Sequence, residues 1–456
     1  MHDTPLIGPY YPDDVLAWEQ EGPRTAHEFL ADAWYLAEQL PERPSVLNFV
    51  SSRYMFLVGF AAAILRQQVT LLPQSRAPQT IRRLVGDYPG SYGLTDRGET
   101  IEGVESISIK SRESWNSQSF EVPHVPNNQV VAIAFTSGST GLPVPNAKTW
   151  GALTAVAYAT GASLGIKNRA STTVVATVPQ QHMFGLEASV MLPIMHGLIM
   201  HAGRPLFPAD IGSALAEVKG SWILVTTPLH LRACVTDGVK VPPSGLVLSA
   251  TAPLARSLAQ ETERCFQAKV HEIFGFAEAG SVAERRTIDG EHWRPLSGVR
   301  VIKDQASCHV HAWYLPDPVQ VPDRITTTSQ GTFIVHGREG DQVNVAGHRV
   351  SLGDLNHALL QVEGVQDGVF VVPEEGPGLV TRLMAFVVAP GKNNREIQRA
   401  LRASIAPVFL PRPLISVPSL PRNATGKLPR EAMNKLARQW LDREGHGTSA
   451  PRLDLS

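Results

Sequence analysis

The sequence predicts an α/β fold, with a large N-terminal domain of layered sheets and helices that carries a small β subdomain, followed by a small α+β C-terminal domain. Three observations predict it. From about Asn127 to Phe274, short β-branched runs alternate with Gly, Pro or Ser turns and helical patterns, which is α/β layering. From about Val282 to Val335 the pattern changes to alternating β-type runs such as His309 to Trp313 and Thr332 to Val335. After the polar, glycine-containing HGREGD at His336 to Asp341 a new α+β pattern begins. A boundary therefore falls near Arg338 to Asp341, and the segment beyond it is long enough to fold by itself.

Taken in order, the apolar run Ser45 to Val50 and the helix Tyr54 to Leu65, with its small residues Gly59, Ala61, Ala62 and Ala63, read as a βαβ unit. The central strands are Val130 to Phe135, Thr172 to Val178, Trp222 to Thr226, Leu246 to Ser249 and Val270 to Phe274. They are apolar on consecutive residues, as strands buried on both faces of a mainly parallel sheet are. Helical patterns lie between them, as in Pro253 to Phe266, where Leu254, Leu258 and Cys265 keep helical spacing. In the last segment Ser351 caps a helix from Ser351 to Gln361, Gly368 to Val372 and Leu383 to Val388 are strands, and Arg395 to Ile405 is a helix. Pro373 closes the first of those strands, and the final GHGTSAPRLDLS reads as a frayed tail.

Composition excludes several function classes. The 456 residues carry 41 basic and 42 acidic side chains, a formal net charge of −1, which gives no electrostatic footprint for nucleic acid or an anionic membrane. The most apolar tract, Ala188 to Met200, is interrupted by Pro193 and His196 and falls short of the roughly 20 residues that span a bilayer. Three cysteines, Cys234, Cys265 and Cys308, cannot build a disulfide framework and fit a reducing, cytoplasmic setting. Met1 to Asp14 lacks the basic flank and apolar stretch of a secretory signal.

The most informative stretch is FTSGSTG at Phe135 to Gly141, directly after an apolar strand. Its hydroxyl residues and glycines form a loop whose backbone N–H groups can face outward and cradle phosphate oxygens. A P-loop needs Gly-Lys-Ser/Thr at its end, whereas Gly141 is followed by Leu142 and Pro143, so that reading fails.

FTSGSTGLP resembles the phosphate loop of the adenylate-forming superfamily, which includes acyl-CoA synthetases, aryl-CoA ligases and peptide-synthetase adenylation domains. Further motifs follow in that family's order. PQQHMFG (Pro179 to Gly185) resembles its His-containing substrate-side motif, LSATAPL (Leu248 to Leu254) its adenine-pocket loop and FGFAE (Phe274 to Glu278) its aromatic-Gly-x-Thr-Glu motif. VPDRI offers Asp323 at the ribose position, GREGD resembles the Gly-Arg-x-x-Asp hinge, AGHRVSLGDLN resembles the start of a mobile C-terminal domain, and PRNATGKLPR resembles the motif bearing the catalytic lysine, Lys427.

The resemblance implies an N-terminal domain at 1–337, a hinge at 338–341 that pivots on Asp341, and a C-terminal domain at 342–456. Implied ATP contacts are Thr136, Ser137, Gly138, Ser139, Thr140 and Gly141 in the phosphate loop, Ser249, Ala250 and Thr251 in the adenine loop, Phe274, Gly275, Phe276 and Ala277 beside it, and Asp323 and Arg338. A carboxylate attacking the ATP α-phosphate brings two anions together, so positive charge is needed where negative charge develops. Lys427 is implied to supply it. Glu278 is implied to hold Mg²⁺, since hard oxygen ligands suit that ion; read alone it is a glutamate opening a helix. His182 is implied to line the acyl pocket and thiol tunnel, and Gly347 to line the thiol channel.

The sequence departs from the family pattern in places. Val144 stands where a loop lysine is usual, and Lys148, the cation close to the loop SGSTGLPVPNAKTW, is expected to reach the pyrophosphate in its place. Ala277 replaces a threonine, and Asn344 stands where a lysine is usual. A compact N-terminus and the loop sequence resemble stand-alone ligases that load an aryl or acyl acid onto an acyl carrier protein in bacterial aryl-polyene pathways. The tract Arg412, Arg422, Lys427, Arg430, Lys435 and Arg438 offers charge to an acidic carrier protein. The expected activity is ATP- and Mg²⁺-dependent ligation of a carboxylic acid, an aromatic one, to a phosphopantetheine thiol. The alternatives are an aryl- or fatty-acyl-CoA ligase and a catalytically degenerate ATP-binding homologue.

Overall fold

The computed structural model describes residues 3–445 apart from 74–75, 97, 99, 110–119, 138–142, 167–170, 305–306, 339–341, 346–347, 373–382 and 424–425. The chain divides into two compact units. The larger comprises Met1–Leu254, Leu258–Val321 and Thr327–Phe333, and the smaller comprises Ala255–Ser257, Pro322–Thr326 and Ile334–Ser456.

Among the described residues the larger unit holds a nine-stranded and a six-stranded sheet. In the first, Val15–Glu19, Ile199–His201, Thr172–Ala176, Ser221–Thr226, Gly245–Ser249 and Lys269–Phe276 run parallel. Gly22–Thr25 closes one side antiparallel, and Gly280–Arg286 with Arg294–Pro295 closes the other. Residues from Val282 on, expected in a separate β subdomain, thus begin inside the main sheet. A small three-stranded sheet follows at Val299–Lys303, Cys308–Ala312 and Val319–Gln320. Every residue of Thr172–Ala176 is buried, the both-face burial that its unbroken β-branched run dictates.

The six-stranded sheet runs in the order Pro143–Thr149, Val130–Ser137, Val69–Leu72, Ser45–Asn48, Tyr92–Thr95 and Ser106–Ser108. All neighbours are parallel except the first pair. Pro143–Thr149 was expected as loop, and two prolines argue against a strand. They are tolerated because this is an edge strand, with one side free of ladder partners.

Helix Arg53–Leu65 is apolar all round, and its side chains are buried up to Ile64, as a helix packed on every side requires. It touches the strands Ser45–Asn48 and Val69–Leu72 of one sheet and Ile199–His201 of the other. Ser52 caps it by accepting a bond from the Met55 N–H. Helix Trp150–Ser163 is similar, with Thr149 as the cap and Trp150 fully buried. The apolar tract from Glu187 onward breaks into a π-helical turn Glu187–Met191, a short helix Leu192–His196 and the strand Ile199–His201. No helix of the described residues is long and apolar enough to cross a membrane.

In the smaller unit the strands Asp367–Val371, Met384–Val388 and Leu414–Ser416 form one sheet. Alternation splits its side chains between two cores. Phe370, Ala385 and Val387 pack with Leu355, Leu359, Ile397 and Leu401 of helices Leu352–Leu360 and Asn394–Ser404. Met384, Phe386 and Val388 pack with Met433 and Ala437 of helix Arg430–Gly445. Ser351 caps Leu352–Leu360 as its sequence position predicts, and Asn393 with Glu396 forms a capping box. Pro373 and the last eleven residues, HGTSAPRLDLS, lie outside the described residues, while Gly445, expected in the frayed tail, ends the helix Arg430–Gly445.

These contacts set two costs apart. Phe56 is fully buried and stacks on Phe60 at 6.2 Å, so Phe56→Ala should destabilise the larger unit by about 3–5 kcal/mol. Asn393→Ala removes a cap and should cost the smaller unit about 1 kcal/mol. Urea unfolding followed by hydrogen exchange in each unit checks this; equal costs for the two variants would contradict the assignment.

Candidate active site

Four segments singled out in the sequence sit where parallel strands of the larger unit end. Thr136 and Ser137 close Val130–Ser137, Pro179 to His182 follow Thr172–Ala176, Ala250 and Thr251 follow Gly245–Ser249, and Ala277 and Glu278 follow Lys269–Phe276. Carboxyl ends of parallel strands are where open α/β sheets hold ligands, because there the loops diverge and leave a crevice. Gly138, Ser139, Thr140 and Gly141 lie outside the described residues, as do the side chains of Thr136 and Ser137.

Glu278 stands at the tip of a tight hairpin. Phe276 pairs with Gly280, so Ala277, Glu278 and Ala279 make a three-residue turn, closed by a bond from the Ala279 N–H to the Phe276 carbonyl at 3.2 Å. Gly280 takes φ +79°, as the residue closing such a turn does. A Cβ on Gly275 would lie 2.4 Å from the Gly280 carbonyl oxygen, so the close approach of the two strands needs glycine there. No helix follows Glu278, which removes the reading of a helix-opening glutamate. Its side chain is exposed, and its carboxylate makes no hydrogen bond to the described residues. That fits Mg²⁺ held by one protein carboxylate together with substrate phosphate oxygens. No group of three metal-ligating side chains occurs among the described residues. Behind the turn, Phe274 packs against Trp293 at 5.5 Å and Phe333 at 5.7 Å, a rigid aromatic wall.

Lys148 points inward from the edge strand. It is 5% exposed, and its ammonium donates to the Glu278 carbonyl at 3.0 Å. Burial lowers its pKa, while Glu187 and Glu278 push it back up. Glu187, 6% exposed, accepts bonds from the Ser281 amide at 3.0 Å and hydroxyl at 2.6 Å. Sequence reasoning passed over Glu187, although one acidic residue inside the apolar tract from Met183 to Met200 was the available signal.

The adenine-loop candidates are not alike. Ser249 is fully buried and Ala250 nearly so, whereas Thr251 is half-buried and adopts φ +78°. A β-branched residue in the left-handed region is strained, and strain of this kind persists where surrounding structure imposes it. His182 is half-buried at the N-cap position of the short helix Met183–Leu186. That helix begins so tightly that a Cβ on Gly185 would lie 2.0 Å from the Pro179 carbonyl oxygen.

The chain around His182 is anchored to the other sheet. Gln180 donates to the Val50 and Ser51 carbonyls at 3.0 and 3.1 Å, and Gln181 donates to Val50 at 2.9 Å. Arg53, fully buried at the start of its helix, donates to the Ala176 and Val178 carbonyls at 3.3 and 3.0 Å. Burial, then the charge of Arg204, lowers its pKa to about 9. His230 sits beside Thr177 and Thr227, at 3.3 and 2.9 Å from their hydroxyls.

In the smaller unit Asp323 opens the strand Asp323–Thr327, and Arg338 ends Phe333–Arg338 with its side chain outside the description. Asp341 and Gly347 lie outside the described residues, as does the side chain of Asn344. Lys427 has a fixed backbone and an exposed side chain. Asn423 accepts from the Lys427 N–H through its side chain at 2.9 Å and donates its own N–H to the Lys427 carbonyl at 2.9 Å. Arg422 reaches the Gly426 carbonyl at 2.7 Å while gripping Asp367 with two bonds of 2.8 and 2.7 Å. Arg422 is thereby neutralised, which removes it from the cationic tract expected to meet an acidic partner.

Comparison with known proteins places these features in context. The AMP-binding enzyme family model matches residues 50–311, and the AMP-binding enzyme C-terminal domain model matches residues 354–427. A 4-coumarate–CoA ligase of Rhodobacter capsulatus is 26% identical over 286 residues, 63% of this chain and 70% of that ligase. An anthranilate CoA ligase in complex with anthranoyl-AMP superposes with a TM-score of 0.76 at 15% identity, covering 94% of this chain and 95% of that one. The O-succinylbenzoate coenzyme A synthetase of Bacillus subtilis in complex with ATP and magnesium ion gives 0.78 at 16% identity, covering 92% and 96%. At these identities the structural likeness speaks for the fold: a large α/β domain and a small C-terminal domain.

Two outcomes follow from the geometry. Asparagine tolerates the left-handed region better than threonine, so Thr251→Asn should raise stability by about 1 kcal/mol in urea titration; a loss of stability would show that no strain resides there. Burial, then Arg204, lowers the His230 pKa to about 4, against about 6.5 in an unfolded chain. Between these values the unfolded chain binds a proton that the folded chain refuses. Stability is therefore full above pH 6.5 and falls on acidification toward pH 4, by on the order of 3 kcal/mol. His230→Gln should flatten that loss, and parallel pH profiles for the two proteins would contradict the account.

Proposed function

Because the chain belongs to the AMP-binding enzyme family, we propose that it is an acid–thiol ligase that activates an aromatic carboxylic acid as its adenylate and passes the acyl group to a phosphopantetheine thiol. The observation that carries this reading is Glu278, an exposed carboxylate held on a tight hairpin at the carboxyl ends of parallel strands, within a chain matched by both modules of the family. The aromatic acid is supported by the relatives, a 4-coumarate–CoA ligase and an anthranilate CoA ligase. The acceptor is an acyl carrier protein or CoA. Exposed Arg412, Lys427, Lys435 and Arg438 of the smaller unit favour an acidic carrier, since charge complementarity speeds encounter.

In the proposed first step a carboxylate oxygen attacks the α-phosphorus of ATP, the bond to the β-phosphate oxygen breaks, and pyrophosphate leaves. Glu278 would hold Mg²⁺, whose charge offsets that of the phosphates. Backbone N–H groups of the loop after Ser137 receive phosphate oxygens, Thr251 and the Phe274 to Ala277 strand end flank the base, and Asp323 and Arg338 serve the ribose and phosphates. Lys427 brings an ammonium to the transferring phosphate, a role suited to a side chain that is exposed on a clamped backbone. In the second step the smaller unit turns about Asp341, which withdraws Lys427 and brings Gly347 to the thiol channel beside His182. The thiol, giving up its proton to solvent, then attacks the carbonyl carbon through its sulfur, and AMP leaves with the electrons of the broken C–O bond. Two arrangements of one small domain serve two steps whose geometries exclude each other.

Carboxylate-dependent ATP–pyrophosphate exchange across hydroxybenzoates, cinnamates and fatty acids tests the reading, with CoA and a holo carrier protein compared as acceptors. The expected result is exchange that requires the acid and is fastest with an aromatic one; no exchange with any acid would overturn it. Lys427→Ala should slow adenylation by roughly 10²–10³-fold while still consuming supplied acyl-adenylate with a thiol. Equal loss in both half-reactions would contradict the alternation.

A further inference from the structure

Two buried charges hold the turn that carries Glu278: Lys148, which the sequence predicts to reach the pyrophosphate, and Glu187, which no motif includes. On one side Lys148 donates to the Glu278 carbonyl itself at 3.0 Å. On the other, Glu187 holds both the amide and the hydroxyl of Ser281, three residues on, at 3.0 and 2.6 Å. Lys148 comes from the edge strand Pro143–Thr149 of one sheet, Glu187 from the π-helical turn Glu187–Met191, and the Glu278 turn from the other sheet. We propose that Lys148 and Glu187 are positioning residues that fix the Glu278 turn, and so set where its carboxylate presents oxygen to a divalent cation bound with ATP.

Three features support this. Burying charge is unfavourable unless each group is paired and hydrogen-bonded, so a lysine and a glutamate at 5% and 6% exposure mark a geometry that apolar residues would not supply. The π-helical turn is a rare local form concentrated at functional sites, and here it begins at Glu187. The glycine between the two grips is fitted to the carboxylate: a Cβ on Gly280 would lie 2.6 Å from Glu187 Oε1. An inward-pointing lysine also blunts an edge strand against stray pairing, yet that accounts for Lys148 alone and leaves the Glu187–Ser281 bonds unexplained.

The inference rests on the reading of Glu278 as the magnesium carboxylate, and its test separates the two. In the free full-length chain, amide hydrogen exchange over Phe276 to Val282 should speed up in Lys148→Met and, less so, in Ser281→Ala, with wild-type exchange elsewhere. Calorimetric ATP binding should lose roughly 10- to 100-fold of its Mg²⁺-dependent affinity in Lys148→Met, keep its affinity in EDTA, and recover in part in Lys148→Arg. Glu278→Gln should lose the Mg²⁺-dependent share with exchange unchanged. Unchanged exchange at the turn in both Lys148→Met and Ser281→Ala would overturn the proposal. Equal loss of ATP affinity with Mg²⁺ and in EDTA would overturn it too, by making Lys148 a direct phosphate contact. Should Lys148→Met fail to fold, Ser281→Ala alone decides the exchange result. Absence of Mg²⁺-dependent ATP binding in the wild type would count against the reading of Glu278 and leave the exchange test standing.

Discussion

The larger unit depends on one seam, where the carboxyl ends of its two sheets meet and main-chain carbonyls are left without ladder partners. Buried and half-buried side chains cross the seam to satisfy them. Arg53 reaches Ala176 and Val178, Gln180 reaches Val50 and Ser51, Gln181 reaches Val50, and Lys148 reaches the carbonyl of Glu278. A buried carbonyl without a partner costs about 1–3 kcal/mol, so these polar residues are as structural as the leucines around them. The same bonds fix the starts of the loops that carry His182 and Glu278, which ties the geometry of the chemistry to the closure of the fold.

The smaller unit solves a similar problem on a short scale. The backbone of Lys427 is tied to Asn423, four residues before it, by two hydrogen bonds. Asn423 bonds both the amide and the carbonyl of Lys427, and Gly426, at φ +77°, supplies the turn. The Arg422–Asp367 pair anchors this loop to the strand Asp367–Val371 with its side chains 14% and 16% exposed, so solvent screens it little. The spacing Asn-x-Thr-Gly-Lys is thus the length of a clamp.

Much of this was legible in the chain because it is written in local patterns. Unbroken β-branched runs marked the parallel strands, an apolar run with small residues marked the helix Arg53–Leu65, and Ser351 marked a helix start. The Gly275 and Gly280 positions flanking Glu278 encode a hairpin, yet Glu278 alone was equally readable as opening a helix, since the deciding pair Phe276–Gly280 is a tertiary fact. Pro143–Thr149 was hidden by its prolines, whose tolerance depends on lying at a sheet edge, a property of strand order that no local window contains. Glu187 and Arg53 were hidden for the same reason, as was the bond of Lys148 to the Glu278 carbonyl, although Lys148 itself stood out as the cation close to the phosphate loop. A charge next to an apolar run looks solvated until the fold shows which carbonyl or amide it meets.

The proposed chemistry requires an acyl-adenylate made and then consumed in one chain. Rapid quench of the protein with Mg²⁺, ATP and an aromatic acid, followed by mass spectrometry, tests that most directly. It should reveal a bound acyl-AMP in the absence of thiol, which disappears as thioester and AMP form when CoA or holo carrier protein is added. Thioester formed without any acyl-AMP, or with ADP and phosphate as products, would contradict it.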